Sequence, residues 1–224
     1  MTMLEPRKGE ARSPGATYQQ LLDADTHAVP DVLRWTNNAF IDDADVSVSR
    51  YTSREFHELE KEKVWKRVWQ MACREEDIPE VGDHINYDIA GISILVVRSA
   101  PDRIQAFRNI CLHRGRLLKE KSGRDEDLRC AFHGFAWNLD GSLKHVPCKW
   151  DFPQVDETWK LPEVKTGFWG GFVFINMDPN CESFESFIGD LPKHFERWPL
   201  EKRYKQAHVA KVLACNWKVA QEAF

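Results

Sequence analysis

Two short segments, Cys111-Leu112-His113-Arg114-Gly115 and Cys130-Ala131-Phe132-His133-Gly134, constrain this chain more than any other feature. Each offers one thiol and one imidazole beside a glycine, and sixteen residues separate His113 from Cys130. Each lies at the end of a β-type run, Ile104 to Arg108 before the first and Asp127 to Cys130 into the second. Loops at corresponding ends of a small sheet bring two thiolates and two imidazoles to one place. The fold must therefore be a sheet that can hold them there.

The surrounding sequence agrees. After Pro79 it breaks into short β-type runs between turn residues, the pattern of an antiparallel all-β module. The expected strands are His84 to Ile89, Ile92 to Val97, Ile104 to Arg108, Asp127 to Cys130, Phe135 to Asn138 and Phe172 to Asn176. Gly91, Pro101-Asp102 and Asp140-Gly141 supply the breaks, and Asp-Gly is a strong hairpin turn because both residues tolerate positive φ. Before this module, Thr52 and Glu55 read as a capping box opening an amphipathic helix of about five turns to Met71, with Phe56, Leu59, Val64 and Val68 to one side and Trp65 and Trp69 a turn apart. Its charged stretch Glu58 to Lys66 reads as a solvated face. The first fifty residues, with short apolar clusters at Tyr18 to Leu22 and Val32 to Trp35, read as an extended arm ordered by packing elsewhere. Helical character returns at Phe187 and Leu191 and again from Val212 to Phe224. The fold class is mainly β with flanking helices.

Composition excludes several functions. Apolar residues make up 42% and charged residues 29% of the 224, the balance of a globular chain with a packed core. The net charge of -4 and the scattered basic residues give no footprint for nucleic acid. No apolar run reaches the about 18 residues that a membrane-spanning helix needs. Met1 to Pro14 is polar, without the apolar middle of a secretory signal, so the expected location is the cytoplasm. Six cysteines in such a compartment are thiols or metal ligands rather than a disulfide framework.

The four clustered side chains fit two metal chemistries. Cys2His2 ligation suits zinc, but zinc sites usually pair Cys with Cys and His with His along the chain. Here each segment mixes the two, as C-x-H and C-x2-H. Two irons bridged by sulfide need two ligand pairs, so Cys111 and Cys130 can serve one iron and His113 and His133 the other. This is the ligation of a Rieske [2Fe-2S] centre, in which neutral imidazoles raise the reduction potential to roughly -150 to +300 mV from about -400 mV in all-cysteine plant-type clusters. Gly115 and Gly134 would let the loops bend and bring backbone N–H groups to the sulfurs. A zinc-stabilised binding module remains the alternative.

With these motifs in order, residues 52–223 resemble the N-terminal portion of the α subunit of Rieske non-haem iron oxygenases, the aromatic-ring-hydroxylating enzymes. The resemblance rests on the two ligand motifs above all, and also on Val68-Trp69-Gln70, Val81-Gly82-Asp83, Asn109-Ile110, Leu139-Asp140-Gly141, Gly170-Gly171-Phe172-Val173-Phe174 and Asn216-Trp217-Lys218. It implies an N-terminal arm (1–50), an amphipathic helix (51–75), a Rieske [2Fe-2S] domain (76–180) and the start of an α+β catalytic domain (181–224). It further implies an oxidoreductase of the dioxygenase type, acting with O2 on an aromatic or related organic substrate in the catabolism of aromatic hydrocarbons. Its cluster would be charged by a ferredoxin or a flavin-dependent reductase, within a homotrimeric or α/β ring in which one subunit's cluster serves its neighbour's iron.

Three departures qualify that expectation. The family's mononuclear Fe(II) sits on two His and a carboxylate that follow an Asn-Trp-Lys helix, and this chain stops at Phe224 before any such run, so the chain alone is expected to lack a complete active site. The usual Pro-Tyr between the second Cys and His is Ala131-Phe132, which removes a phenolic hydroxyl. Ala223 stands where the family's helix often has Asn. A stand-alone Rieske ferredoxin would explain the missing iron but not the arm or the Asn216-Trp217-Lys218 helix. Cys73, Cys148, Cys181 and Cys215 read as free thiols, His145 as a loop histidine, and Trp137 and Trp169 as sheet packing. His194 and His208 have no closely spaced His partner.

Overall fold

Two antiparallel sheets carry the two ligand-type segments, one after a central strand of the larger sheet and one inside the smaller. The computed structural model describes residues 15–34 and 45–223. In chain order its strands are β1 (Gln70–Arg74), β2 (Asp83–Ile89), β3 (Ile92–Ala100), β4 (Arg103–Arg108), β5 (Gly123–Arg124), β6 (Leu128–Arg129), β7 (Ala136–Trp137), β8 (Leu143–His145), β9 (Glu163–Trp169) and β10 (Phe172–Asn176). All pairings are antiparallel, in a seven-stranded sheet ordered β1-β10-β9-β4-β3-β2-β5 and a three-stranded sheet ordered β6-β7-β8. The first ligand segment follows β4 and the second joins β6 to β7.

Strand β3 explains how the sheets share a core. Side chains alternate across a strand, so a strand buried on one face reads polar at every second position. In β3, Ile92, Ile94 and Val96 face one apolar cluster with Ile104, Ala106, Val173 and Ile175, while Leu95 and Val97 face another with Phe107, Leu128, Phe135 and Trp137. Both faces are covered, which is why the strand reads as the nearly continuous run Ile-Ser-Ile-Leu-Val-Val. Full burial of each such side chain contributes about 1.5–3 kcal/mol. The second cluster also contains Cys111 and Cys130, so the metal-type thiols are part of the core.

Gly141 fixes the turn from β7 to β8. Its φ is +81°, and a Cβ there would lie 2.6 Å from Phe107 Cε1. Only glycine satisfies both conditions.

Two expectations are corrected. The five-turn helix from Thr52 to Met71 is instead a short Ser49–Thr52 turn, a helix at Arg54–Glu60 and a single π-turn at Lys61–Trp65. Ser53, not Thr52, is the cap; its Oγ accepts from the Phe56 N–H at 3.1 Å. From Gln70 the chain becomes β1, because pairing with β10 at Gln70↔Ile175 and Met71↔Phe174 satisfies the backbone that a longer helix would have satisfied internally. The helix expected over Val212 to Phe224 covers Trp217–Glu222, starting at the Asn216 cap. The Phe187 and Leu191 segments form helices at Phe184–Ile188 and Leu191–His194.

The chain separates into units 1–48 and 49–224. In the first, the apolar Tyr18 to Leu22 is not extended but lies in a helix at Tyr18–Asp23, where the Thr17 and Gln20 side chains each accept the other's backbone N–H. Met1 to Pro14, Trp35 and Phe224 lie outside the described residues. Among the described residues no helix is long and apolar enough to cross a membrane.

Candidate metal centre

The two ligand segments share one backbone design. The Cys111 N–H donates to the Arg116 carbonyl at 2.7 Å, and the Gly115 N–H returns to the Cys111 carbonyl at 2.8 Å. The Cys130 N–H donates to the Phe135 carbonyl at 2.8 Å, and the Gly134 N–H returns to the Cys130 carbonyl at 3.0 Å. Gly115 and Gly134 have φ of +75° and +76°, a left-handed conformation that carries no Cβ penalty in glycine. Each loop is thus a closed turn that starts on a cysteine and reverses on a glycine.

These turns bring the four side chains together in two layers. The Cys111 and Cys130 thiols lie inside, each 2% exposed and in the same hydrophobic cluster. Outside them the His113 and His133 rings lie 4.9 Å apart between centroids, edge to face. His133 is exposed and His113 half-buried. Burial pushes the Cys111 thiol up, and the neighbouring Cys130 thiol adds to this, while N–H groups of His113 and Arg114 on its sulfur act the other way. Burial, then the nearby His133 and Arg114, pushes the His113 imidazole down, toward the neutral form that ligates metals.

The donor set divides into one pair of buried thiols and one pair of outer imidazoles. A [2Fe-2S] cluster asks for only two protein donors per iron, one pair of each kind in the mixed form. Two thiols buried in one cluster resist ionisation unless a cation compensates them.

An aromatic wall that the motifs do not announce completes the site. Phe135 stacks on the His113 ring, Phe152 meets both of them edge-on, and Phe132 lies 3.8 Å from the His133 ring, itself 60% exposed. Phe135 reads as a strand residue and as the end of the second motif, without a role at the site, and Phe152 is brought in by a chain reversal with no local signature. Asn109, quoted above only as part of a motif, is fully buried and makes four side-chain hydrogen bonds.

The other candidates stand apart. His145 is exposed on β8, opposite Ala136, while His194 ends a helix and His208 lies in an exposed stretch without regular structure. All six cysteines are free thiols; Cys73 is on β1, Cys148 and Cys215 are exposed, and Cys181 is half-buried. Trp137 is fully buried in the cluster that holds both ligand-type cysteines, and Trp169 packs edge-on against Phe195 at 5.4 Å.

Comparison with known proteins agrees with this geometry. Residues 68–156 match the Rieske [2Fe-2S] domain family. The chain is 31% identical over 180 residues to the 2-aminobenzenesulfonate 2,3-dioxygenase subunit alpha of Alcaligenes sp, covering 77% of this chain and 45% of that protein. It is 34% identical over 143 residues to the carnitine monooxygenase oxygenase subunit of Escherichia coli (strain K12), covering 63% and 38%. Among solved structures, a quaternary ammonium Rieske monooxygenase in complex with L-carnitine superposes with a TM-score of 0.70 at 27% identity, over 78% of this chain and 51% of that one. Naphthalene 1,2-dioxygenase from Rhodococcus sp. gives 0.61 at 28% identity, over 67% and 36%. The chain spans less than half the length of the curated relatives it matches. Residues 68–156 match the Rieske [2Fe-2S] domain, and over the portion that contains it the chain is similar to the oxygenase subunits of Rieske oxygenases.

Proposed function

We propose that Cys111 and Cys130 hold one iron of the cluster and His113 and His133 the other, and that the chain passes single electrons within an oxygenase acting with O2 on an aromatic or related organic substrate. The observation that carries this reading is the matched pair of Cys-to-Gly turns, which set two thiols inside and two imidazoles outside. When bound, such a cluster supplies one-electron exchange at a potential raised by its imidazoles. The chain's own residues prepare its surroundings. The core around Cys111 and Cys130 keeps water from the sulfur side, the His113 and Arg114 N–H groups hold a thiolate, and the exposed His133 edge offers a hydrogen bond to a partner.

The electron donor under this reading is a ferredoxin or a flavin-dependent reductase, and the assembly is a homotrimeric or α/β ring. Residues 181–223 open the catalytic domain, whose mononuclear Fe(II) we do not assign to any histidine described here.

Electron paramagnetic resonance of the anaerobically purified, dithionite-reduced protein, paired with iron and zinc analysis, tests the ligand assignment. A rhombic signal of low average g with about two irons per chain is expected of this ligation. Zinc with no signal would replace electron transfer by a metal-stapled fold. Cys111→Ser or Cys130→Ser should abolish the cluster, whereas Cys73→Ser should leave it; equal bleaching by Cys73→Ser would refute the assignment.

A further inference from the structure

The two ligand turns are built alike but anchored differently. The second closes on the β6–β7 ladder, where Leu128 pairs with Trp137 and Arg129 with Ala136. The first leaves β4 and returns at Leu118 and Lys119 outside any strand. Its return limb is held by the Asn109 side chain. Asn109 Oδ1 accepts from the Leu118 N–H at 3.1 Å and the Lys119 N–H at 3.0 Å. Its Nδ2 donates to the Lys119 carbonyl at 2.7 Å and to Ser93 Oγ at 3.0 Å. Its backbone N–H donates to the Ser93 carbonyl at 3.1 Å, which fixes the same residue to β3.

Four bonds use the two donors and two lone pairs of a primary amide in full. Three of them cross from the start of the loop to its end, and the fourth reaches β3. The amide does for the first loop what the β6–β7 ladder does for the second.

We infer that Asn109 is the positioning residue of the first ligand loop, setting the cluster's reduction potential by fixing where Cys111 and His113 stand. The inference rests on the ligand reading above. The link to potential is the loop backbone itself, which the Cys111-to-Gly115 turn holds around the proposed cluster site. N–H groups held near cluster sulfurs stabilise the more negative, reduced form, and outer partners of this kind tune a metal site. A loop released at Leu118 and Lys119 withdraws them and makes the potential more negative.

The test compares the native chain with Asn109→Ala, Ser93→Ala and Asn86→Ala, each purified anaerobically. Ser93→Ala removes the one bond of the four that does not cross the loop. Asn86 also donates to the Lys119 carbonyl, at 2.8 Å, but does not close the loop. Iron content, midpoint potential, histidine nitrogen hyperfine couplings and iron loss to a chelator are measured. Asn109→Ala should make the potential more negative, change the coupling of one histidine nitrogen but not both, and speed iron loss about tenfold. Ser93→Ala should move the same readouts in the same direction by less, and Asn86→Ala should leave the potential in place. If the native chain shows the two-iron signal and neither Asn109→Ala nor Ser93→Ala moves potential or couplings, the positioning role is overturned while the ligands stand. A native chain without that signal fails the ligand reading, and the inference with it. Should Asn109→Ala not fold, Ser93→Ala decides alone.

Discussion

The Phe135 ring lies parallel to the His113 imidazole, 4.6 Å between centroids and 5° between planes. Phe135 is 1% exposed and also packs edge-on against Phe152 at 5.2 Å, so it joins the hydrophobic core to the proposed outer ligand His113. Phe135→Leu keeps most of the volume and loses the stack, and should cost about 1–2 kcal/mol of unfolding free energy. Phe135→Ala opens a cavity and should cost about 3–5 kcal/mol. Urea denaturation of the metal-free protein at neutral pH checks both values.

A second prediction concerns Glu60, a buried carboxylate at the end of the Arg54–Glu60 helix. It is paired with Lys218, accepts from Trp217 Nε1 at 3.3 Å and faces His57 Nδ1 at 3.6 Å. Burial pushes its pKa up, but the bonds from Lys218, Trp217 and His57 outweigh this and hold it below the usual carboxylate range. A depressed folded pKa gives stability that is present above the unfolded value, about 4.3 for Glu, and is lost as pH falls through the lower folded value. The native chain should therefore lose stability below about pH 4.3 more steeply than Glu60→Gln does. At neutral pH, Glu60→Ala should cost about 3 kcal/mol by stranding Lys218, which a double-mutant cycle with Lys218→Met would measure.

Glycine substitutions should separate two kinds of cost. Gly91 has φ of +75° with open space at the Cβ position, so Gly91→Ala should lose only about 1–2 kcal/mol of backbone conformational energy. Gly141→Ala carries the same conformational cost and also drives a methyl into Phe107. Thermal unfolding should show Gly141→Ala the less stable of the two; equal melting temperatures would mean that Phe107 moves aside freely.

The cysteines should differ in reactivity. Burial, with Asp77 nearby, pushes the Cys73 thiol up to about 12, so it holds almost no thiolate at neutral pH. Mass spectrometry after brief iodoacetamide treatment at pH 7.5 should find Cys148 and Cys215, both exposed, alkylated well before Cys73. Labelling of Cys73 at the rate of Cys215 would contradict this.

The strands that were legible in the sequence are those whose apolar runs are long or bounded by turn residues. Ile92 to Val97 and Phe172 to Asn176 are of this kind. Strand β1 was not, because Val64, Trp65, Val68 and Trp69 continue a helical spacing up to the residue where pairing with β10 takes over. Strand β9 was not read from the sequence, and it contains Gly167. A Cβ there would lie 2.3 Å from Phe184 Cγ, so the glycine admits a ring rather than a turn. The gathering of four ligand-type side chains was readable from two local motifs. Phe152 and the bonds of Asn109 were not, since they depend on where distant segments return.

The closed turns of the two ligand loops carry a lesson about what spacing means. Their hydrogen bonds fix the interval from cysteine to glycine, Cys111 to Gly115 and Cys130 to Gly134, but do not fix the histidine, which stands second after one cysteine and third after the other. Backbone closure therefore sets the grammar of this motif and the imidazole is inserted into it. A homologue whose histidine shifts by one position inside an intact Cys-x3-Gly frame keeps the loop and re-aims the ligand, whereas one that loses the glycine loses the loop itself.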